Sequence, residues 1–235
     1  MYQLKDKGGL RVVHQASGLD DGMLLAYLNG ARRAATIYSA THRADLAESQ
    51  RTYENRKSFD FDVYRQPRAH ELLHKLIELT KRNAPDLWAN DFAGSSWNAH
   101  MAQGLKYVVG GKFAAHADDR VTAVVKGPSG QTDRRIVRLH PDRQIVALLY
   151  LNDNYQGGEL YFPNIQGANG QPLQIKPKAG DFVLFGGDDR YLHGVKEVTQ
   201  GERYVVTLWF APLPIEPAQT LADAQRAYEA ELKTT

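Results

Sequence analysis

The stretch QIVALLYLNDNYQGGELYF, residues 144–162, decides the fold class. It holds two apolar runs, QIVALLYLN (144–152) and GELYF (158–162), and the pair Gly157-Gly158 marks a turn between them. Both runs have the length and the Ile, Val, Tyr and Phe content of β-strands. The stretch therefore predicts two strands joined by a glycine turn.

Further runs of the same kind extend from this stretch in both directions. They are LKYVV (105–109), VTAVV (121–125), LQIKP (173–177), DFVLF (181–185) and YVVTLWF (204–210). Seven or eight short strands without intervening helices predict a double-sheet barrel of the jelly-roll kind. The fold class is therefore mainly β with flanking helices.

The helices are expected outside this strand-rich part. Residues 19–33 and 67–83 place leucines at helical spacing, and residues 217–233 are polar and alanine-rich. We predict a helical N-terminal support region (1–102), a β catalytic core (103–212) and a C-terminal helix (213–235). The core and its helices form one packed unit.

Composition excludes several classes of function. The 29 Lys and Arg nearly balance the 27 Asp and Glu, which argues against a nucleic-acid partner. There is no cysteine, so a metal must be held by nitrogen and oxygen ligands. No apolar run reaches the roughly 18 residues of a membrane span, and the first residues lack a signal-peptide core. We expect a cytoplasmic protein without a membrane partner, of open oligomeric state.

Candidate metal ligands begin with YVVGGKFAAHADD, residues 107–119. His116 and Asp118 are two positions apart, so they point the same way in an extended segment. Such a pair alone is more often structural than metal-binding. A third ligand, His193, follows DFVLF in DDRYLHGV. Two histidines and one carboxylate form the facial triad that suits non-haem Fe(II).

A charged residue completes the pattern. Arg203 follows His193 by ten positions and opens the apolar strand RYVVTLWF. A charge on such a strand must be paired or reach solvent, since an unpaired buried charge is costly. A guanidinium matches a carboxylate with two hydrogen bonds. Arg203 is therefore a candidate partner for an organic acid, or else an exposed residue at a strand end.

With these residues, the chain resembles the Fe(II)/2-oxoglutarate-dependent dioxygenases, in particular the prolyl 4-hydroxylase-like branch. The resemblance covers roughly residues 103–212 and rests on four blocks in order: LKYVVGGKFAAHAD, LLYLNDNYQGGELYFP, PKAGDFVLFGGDDRYLHGV and GERYVVTLWF. It implies a double-stranded β-helix, Fe(II), 2-oxoglutarate as co-substrate and dioxygen, with ascorbate as a supporting reductant.

The resemblance also implies roles for single residues. His116, Asp118 and His193 would ligate the iron, with no catalytic residue beyond these ligands. Arg203 would pair with the distal carboxylate of 2-oxoglutarate. Three further residues would line the co-substrate pocket, with core packing as the alternative: Tyr107, Tyr150 and Thr207. Phe113 stands where many members carry a tyrosine.

The implied function is hydroxylation of an unactivated C–H bond in an amino acid, a peptidyl residue or a related small molecule. The segment GPSGQTDRRIVRLHPDR (127–143) interrupts the strand spacing, as a functional lid or as a solvated loop. Its residues Arg134, Arg135 and Arg138 are candidates to bind an anionic substrate group. The alternative function is a non-catalytic or cupin-like metal-binding jelly roll.

Overall fold

The computed structural model describes residues 9–14, 19–34, 36–39, 56–84 and 97–234. Three helices lie in this part of the chain: α1 (Asp21–Arg33), α2 (Ala69–Asn83) and α3 (Leu221–Thr234). All three confirm helices predicted from the sequence. Asp20 caps α1, because its side chain accepts a hydrogen bond from the backbone N–H of Met23. None of these helices combines the length and apolar character needed to cross a membrane.

Fifteen strands lie in the described residues, all paired antiparallel. They are β1 (Arg11–Val13), β2 (Ile37–Ser39), β3 (Arg56–Phe61), β4 (Trp97–Tyr107), β5 (Lys112–His116), β6 (Val121–Lys126), β7 (Thr132–Val137), β8 (Ile145–Tyr150), β9 (Gln156–Gly157), β10 (Leu160–Gln166), β11 (Pro172–Ile175), β12 (Phe182–Gly186), β13 (His193–Val195), β14 (Val198–Gln200) and β15 (Arg203–Pro212).

One curled sheet contains eleven of these strands, in the order β1-β12-β8-β15-β4-β3-β5-β13-β10-β11 with β2 on β3. The pairs β14–β9 and β6–β7 are separate. This half-barrel with flanking helices confirms the predicted jelly-roll class. β9 ends in the predicted glycine turn, where both Gly157 (φ 68°) and Gly158 (φ 65°) adopt left-handed backbone conformations.

Strand β8 explains why its sequence is apolar without alternation. Ile145, Ala147 and Leu149 face a core shared with α1 and α2, whereas Val146 and Leu148 face a second core inside the curled sheet. Both faces are therefore buried, and a strand buried on both faces reads as a continuous apolar run. The same alternation in β15 turns Arg203, Thr207 and Trp209 towards the interior of the curled sheet.

Two parts of the chain differ from the sequence-based expectation. The N-terminal region contributes β1, β2 and β3 to the sheet as well as two helices, and β4 begins at Trp97, before the expected start of the core. Strand β3 pairs with both β4 and β5. It was not predicted because most of its residues are polar. The division of the chain at residues 102 and 212 stays a prediction.

The prediction that residues 127–143 form an irregular loop is wrong. Residues 132–137 form β7, which pairs with β6 over six positions from Val121↔Val137 to Lys126↔Thr132. Gly127 and Gly130 lie in the connecting turn. The strand was missed because one face of this two-stranded hairpin is exposed, so its residues are mostly polar.

Candidate active site

The turn after β5 carries two of the predicted iron ligands. β5 ends at His116, and the backbone N–H groups of Asp118 and Asp119 donate to the carbonyl oxygen of Gly187 at 2.8 and 3.0 Å. A Cβ at Gly187 would lie 1.8 Å from the carbonyl oxygen of Arg143, so only glycine allows this close approach. The end of β12 therefore fixes the position of the turn.

The third predicted ligand comes from the neighbouring strand. His193 opens β13 and lies opposite His116 in the strand register. The Nε2 atoms of His116 and His193 are 3.5 and 3.8 Å from the two carboxylate oxygens of Asp118. One ligand atom from each residue lies within 4.8 Å of the others. Two imidazoles and one carboxylate at this spacing fit Fe(II) and leave coordination positions open.

Hydrogen bonds to the backbone orient both imidazoles. Nδ1 of His116 lies 2.9 Å from the carbonyl oxygen of Ala114, and Nδ1 of His193 lies 3.1 Å from that of Tyr191. A carbonyl only accepts, so each Nδ1 carries the proton and donates it. Each Nε2 is then left with its lone pair facing the other two residues, as metal ligation requires.

The protonation states of Asp118 and His193 also suit ligation. Burial opposes the charge of Asp118, but the imidazoles of His116 and His193 when protonated, together with the hydrogen bond from Trp209, hold its pKa well below the ordinary value. Burial and the like charge of His116 lower the pKa of His193 to about 4, against the opposing charge of Asp118. At neutral pH the site offers a carboxylate and a neutral imidazole.

Trp209 supports the metal site from β15. Its Nε1–H donates to Oδ2 of Asp118 at 3.1 Å, and both groups are buried. A donor of this kind fixes the orientation of a ligating carboxylate. Trp209 was not among the site residues predicted from the sequence, although the alternation of Arg203, Thr207 and Trp209 along β15 was a usable signal.

Replacing Trp209 with phenylalanine is expected to lower the affinity for Mn(II) or anaerobic Fe(II) by roughly 10–100-fold, because Asp118 loses its donor. Calorimetric titration of the metal measures this change. Tyr204→Phe is the matched control, since Tyr204 lies on the helix-facing side of the same strand. Equal metal affinities of wild type and Trp209→Phe would contradict the supporting role.

The predicted co-substrate residues surround Arg203. Its Nη2 donates to the hydroxyl of Tyr150 at 2.9 Å, and its guanidinium carbon lies 4.9 and 4.8 Å from the ring centres of Tyr107 and Tyr150. Arg203 is only 1% exposed. Its Nε and Nη1 are buried and find no hydrogen-bond partner among the described residues. Free donors on a buried, permanently charged guanidinium fit a carboxylate ligand.

Thr207 and Tyr150 offer hydroxyls to the same ligand. The Oγ1 of Thr207 is buried and lacks a hydrogen-bond partner within the described part of the chain. Burial raises the pKa of Tyr150, so its phenol keeps its proton at neutral pH. Arg203, Tyr150 and Thr207 are therefore candidate donors to a carboxylate ligand, and their role in binding 2-oxoglutarate stays a prediction.

A single cavity of about 260 Å³ connects the two groups of residues. His116, Asp118 and His193 line it together with Arg203 and Thr207. The remaining lining residues are Arg56, Gln103, Leu105, Tyr107, Phe113, Ala117, Arg120, Val121, His140, Arg143, Leu148, Leu160, Val195, Val205 and Trp209. The triad and the arginine therefore share one space.

The three candidate substrate arginines do not line this cavity. Arg134 is exposed on the β6–β7 hairpin, and Arg135 pairs with Glu231 of α3 at 2.6 Å. Arg138 pairs with Asp119 at 3.1 Å and with Glu216 at 2.7 Å. The lining arginines are instead Arg56, Arg120, Arg143 and Arg203. Strand pairing in 132–137 and the ion pairs of Arg135 and Arg138 direct these side chains away from the cavity.

Asp119 has a structural role next to the ligand Asp118. Its buried carboxylate binds Arg120, which precedes β6, at 2.7 and 2.9 Å, and Arg138, which follows β7. One carboxylate thus holds both ends of the hairpin. Asp119 directly follows the ligand Asp118 in the sequence, but its two arginine partners became visible only in the fold.

Residues 102–211 match the 2OG-Fe(II) oxygenase superfamily. Among curated proteins, Prolyl 3-hydroxylase 2 of Rattus norvegicus is 42% identical over 73 residues, which are 31% of this chain and 10% of that protein. The chain thus spans about a tenth of the length of the curated relatives it matches.

Two solved structures show the same fold. A prolyl hydroxylase from Trichoplax adhaerens, in complex with a hypoxia inducible factor oxygen degradation domain peptide, gives a TM-score of 0.60 at 19% identity over 87% of this chain and 84% of its own. A prolyl-4-hydroxylase from Pseudomonas putida gives 0.58 at 19% identity over 87% and 93%.

Residues 102–211 belong to the 2OG-Fe(II) oxygenase superfamily. This oxygenase domain contains the two histidines, the aspartate and the arginine on which the resemblance rested. The name of the superfamily implies Fe(II) and 2-oxoglutarate, and the donor set of the triad together with the unpartnered donors of Arg203 fits both. At such low identities the solved structures establish the double-stranded β-helix fold and leave the substrate open.

Proposed function

We propose that this chain is an Fe(II)- and 2-oxoglutarate-dependent hydroxylase that acts on an unactivated C–H bond of an amino acid, a peptidyl residue such as proline or a related small molecule. One observation carries the proposal: the triad and the unpartnered donors of Arg203 face the same cavity. A purely structural metal site would not need a buried cation with free donors beside it.

The bound cofactors supply the oxidising chemistry: dioxygen and 2-oxoglutarate are converted to succinate and carbon dioxide while the substrate C–H becomes C–OH. His116, Asp118 and His193 would hold the iron on one face. Arg203 and Tyr150 would bind the distal carboxylate and so orient the co-substrate towards that metal. His116, Asp118, His193 and Arg203 line the one cavity, and the Tyr150 hydroxyl accepts a hydrogen bond from Arg203.

The apolar part of the cavity excludes water from the reacting atoms. Leu148, Leu160, Val195 and Val205 line it together with the triad and Arg203. Leu148, Leu160 and Val205 are almost completely buried, because they belong to the core inside the curled sheet. A dry cavity strengthens the contacts to the dicarboxylate and limits side reactions of the oxidant.

The names of the similar proteins support a proline-like substrate. The Trichoplax adhaerens enzyme was solved with a peptide, and the curated relatives are prolyl 3-hydroxylases. Because the matched segments cover only part of those relatives, a peptidyl or free amino-acid substrate is our proposal for this chain and not a property taken from them.

Anaerobic titration of the chain with Fe(II) and 2-oxoglutarate, followed by admission of oxygen, tests the function. We expect both to bind, and we expect succinate formation to rise with one member of a panel of proline-containing peptides and free amino acids. Arms with and without ascorbate determine whether a reductant supports turnover. Metal binding without 2-oxoglutarate binding or succinate would instead favour the non-catalytic jelly roll.

A further inference from the structure

Four arginines line the cavity, and two of them are already engaged. Arg203 faces the proposed site of 2-oxoglutarate. Arg120 is neutralised by the buried Asp119 at 2.7 Å and also lies 3.4 Å from Asp189. The other two, Arg56 and Arg143, have no role in holding the iron or 2-oxoglutarate. Two cationic side chains at one cavity are expected to have an anionic partner, because an uncompensated charge out of water is costly.

Among the residues that the structure describes, Arg143 is held by stacking on a ring and not by a carboxylate. Its guanidinium carbon lies 4.6 Å from the ring centre of Trp209. Its Nε is buried without a hydrogen-bond partner among the residues that the structure describes. Burial lowers the pKa of Arg143, and the like charge of Arg56 acts in the same direction against Asp118 and Asp142. Arg56 and Arg143 thus line the same cavity with like charges.

Arg56 also stacks on an aromatic ring next to a metal ligand. Its guanidinium carbon lies 4.7 Å from the ring centre of Phe113, and that ring stacks on His116 at 3.7 Å. Its pairing with Asp60 is long, 3.5 Å, and Asp60 is partly exposed. Such a pair contributes little and leaves most of the charge of Arg56 available.

Each of these arginines is thus one aromatic ring away from a metal ligand. Phe113 separates Arg56 from His116, and Trp209 separates Arg143 from Asp118, to which it donates a hydrogen bond. An anion held by both guanidinium groups would lie beside the triad. In such a molecule, the carbon that is oxidised would be only a few bonds from the bound carboxylate.

We infer that the substrate carries a carboxylate, close to the carbon that is oxidised, and that Arg56 and Arg143 bind this carboxylate. The inference rests on the proposed function and narrows its substrate to free amino acids, carboxyl-terminal residues or comparable small acids. The size of the cavity agrees, because about 260 Å³ lies below the ~300–1,000 Å³ of typical ligand pockets and leaves little room beside 2-oxoglutarate.

Charge balance favours a single negative group. In the loaded site, Fe(II) and Arg203 balance the carboxylate of Asp118 and the two carboxylates of 2-oxoglutarate. Asp60 offsets part of the charge of Arg56. The charge of Arg143 and most of that of Arg56 are left at the cavity, and one substrate carboxylate neutralises much of it. Guanidinium forks suit this ligand because they bind carboxylate oxygens in pairs.

The test compares the free L-amino acids with their primary amides on the full chain loaded with Mn(II) and 2-oxoglutarate. Calorimetry measures binding, and succinate formation with Fe(II) measures turnover. We expect at least one acid to bind roughly 10-fold or more tightly than its amide, as a charge-assisted pair of hydrogen bonds predicts. Arg143→Gln and Arg56→Gln should each remove most of this preference, and Arg143→Lys should keep part of it.

Arg134→Gln is the matched control, because Arg134 is exposed on the hairpin and does not line the cavity. It should leave the acid-over-amide preference intact. The inference is overturned if no acid binds better than its amide, or if the preference survives in both glutamine variants. Metal and 2-oxoglutarate affinities measured on the same samples separate the two hypotheses. If the wild type binds neither metal nor 2-oxoglutarate, the proposed function is contradicted. If it binds both but binds acid and amide equally, only the carboxylate inference is contradicted.

Discussion

Replacing Arg203 with methionine is expected to lower the affinity for 2-oxoglutarate by roughly 30-fold to several thousand-fold, since truncating one partner of a buried, hydrogen-bonded charge pair costs about 2–5 kcal/mol. Metal binding should persist, because Arg203 contacts tyrosines and not the triad. Calorimetry with 2-oxoglutarate in the presence of Mn(II) measures the first effect, and titration with Mn(II) alone measures the second.

The same substitution should stabilise the ligand-free protein. Arg203 is a buried charge with two unpartnered donor nitrogens among the described residues, and methionine removes that desolvation cost. We expect the free energy of unfolding, measured in urea without 2-oxoglutarate, to rise by about 1–4 kcal/mol. A gain in stability with a loss of co-substrate binding is the signature of a residue retained for function.

Tyr150→Phe is the graded control for Arg203→Met. It removes only the hydroxyl that accepts from Nη2 of Arg203. The affinity for 2-oxoglutarate should fall about fivefold, since one hydrogen bond contributes about 1 kcal/mol. Unchanged 2-oxoglutarate affinity in Arg203→Met would show that the cation at this site has another purpose.

The second large effect concerns the triad. Asp118→Ala or His193→Ala is expected to reduce the affinity for Fe(II) or Mn(II) by more than about 100-fold, because the loss of a direct ligand exceeds the ~10–100-fold cost of losing a supporting contact. Succinate formation should vanish with it. Anaerobic metal titration and the succinate assay measure the two consequences in parallel.

His74→Ala provides the matched control for these variants. His74 lies on α2 with a side chain that is 64% exposed, and it does not line the cavity. Metal affinity and turnover should be unaffected by its removal. If His193→Ala still bound metal as tightly as His74→Ala, the assignment of the triad would fail.

The identity of the fold could be read from the chain because its central strands are buried on both faces. β8, β12 and β15 carry long apolar runs, and local pattern alone distinguishes such runs from loops. By contrast, β3 and β7 are polar and partly exposed, so their strand character depends on the partners they meet. Such strands are specified by tertiary contacts and not by local pattern.

In the candidate site, too, some features follow from the sequence and others depend on tertiary contacts. The order and spacing of His116, Asp118, His193 and Arg203 are properties of the sequence, because coordination chemistry demands those residue types wherever the fold brings them together. The exclusion of Arg134, Arg135 and Arg138 from the cavity was not predictable. Strand β7 and the carboxylates of Asp119 and Glu231 determine where those side chains point.

The sequence by itself thus determined the fold class, the triad and the arginine beside it, since these follow from local hydrophobic pattern and from ligand chemistry. Only the tertiary structure decided which other cationic side chains line the cavity with the triad. Arg56 comes from β3, far along the chain from Arg143, and both reach the cavity by stacking on rings that themselves contact metal ligands. Contacts between residues so distant in sequence leave no local pattern, because they exist only once the sheet has curled.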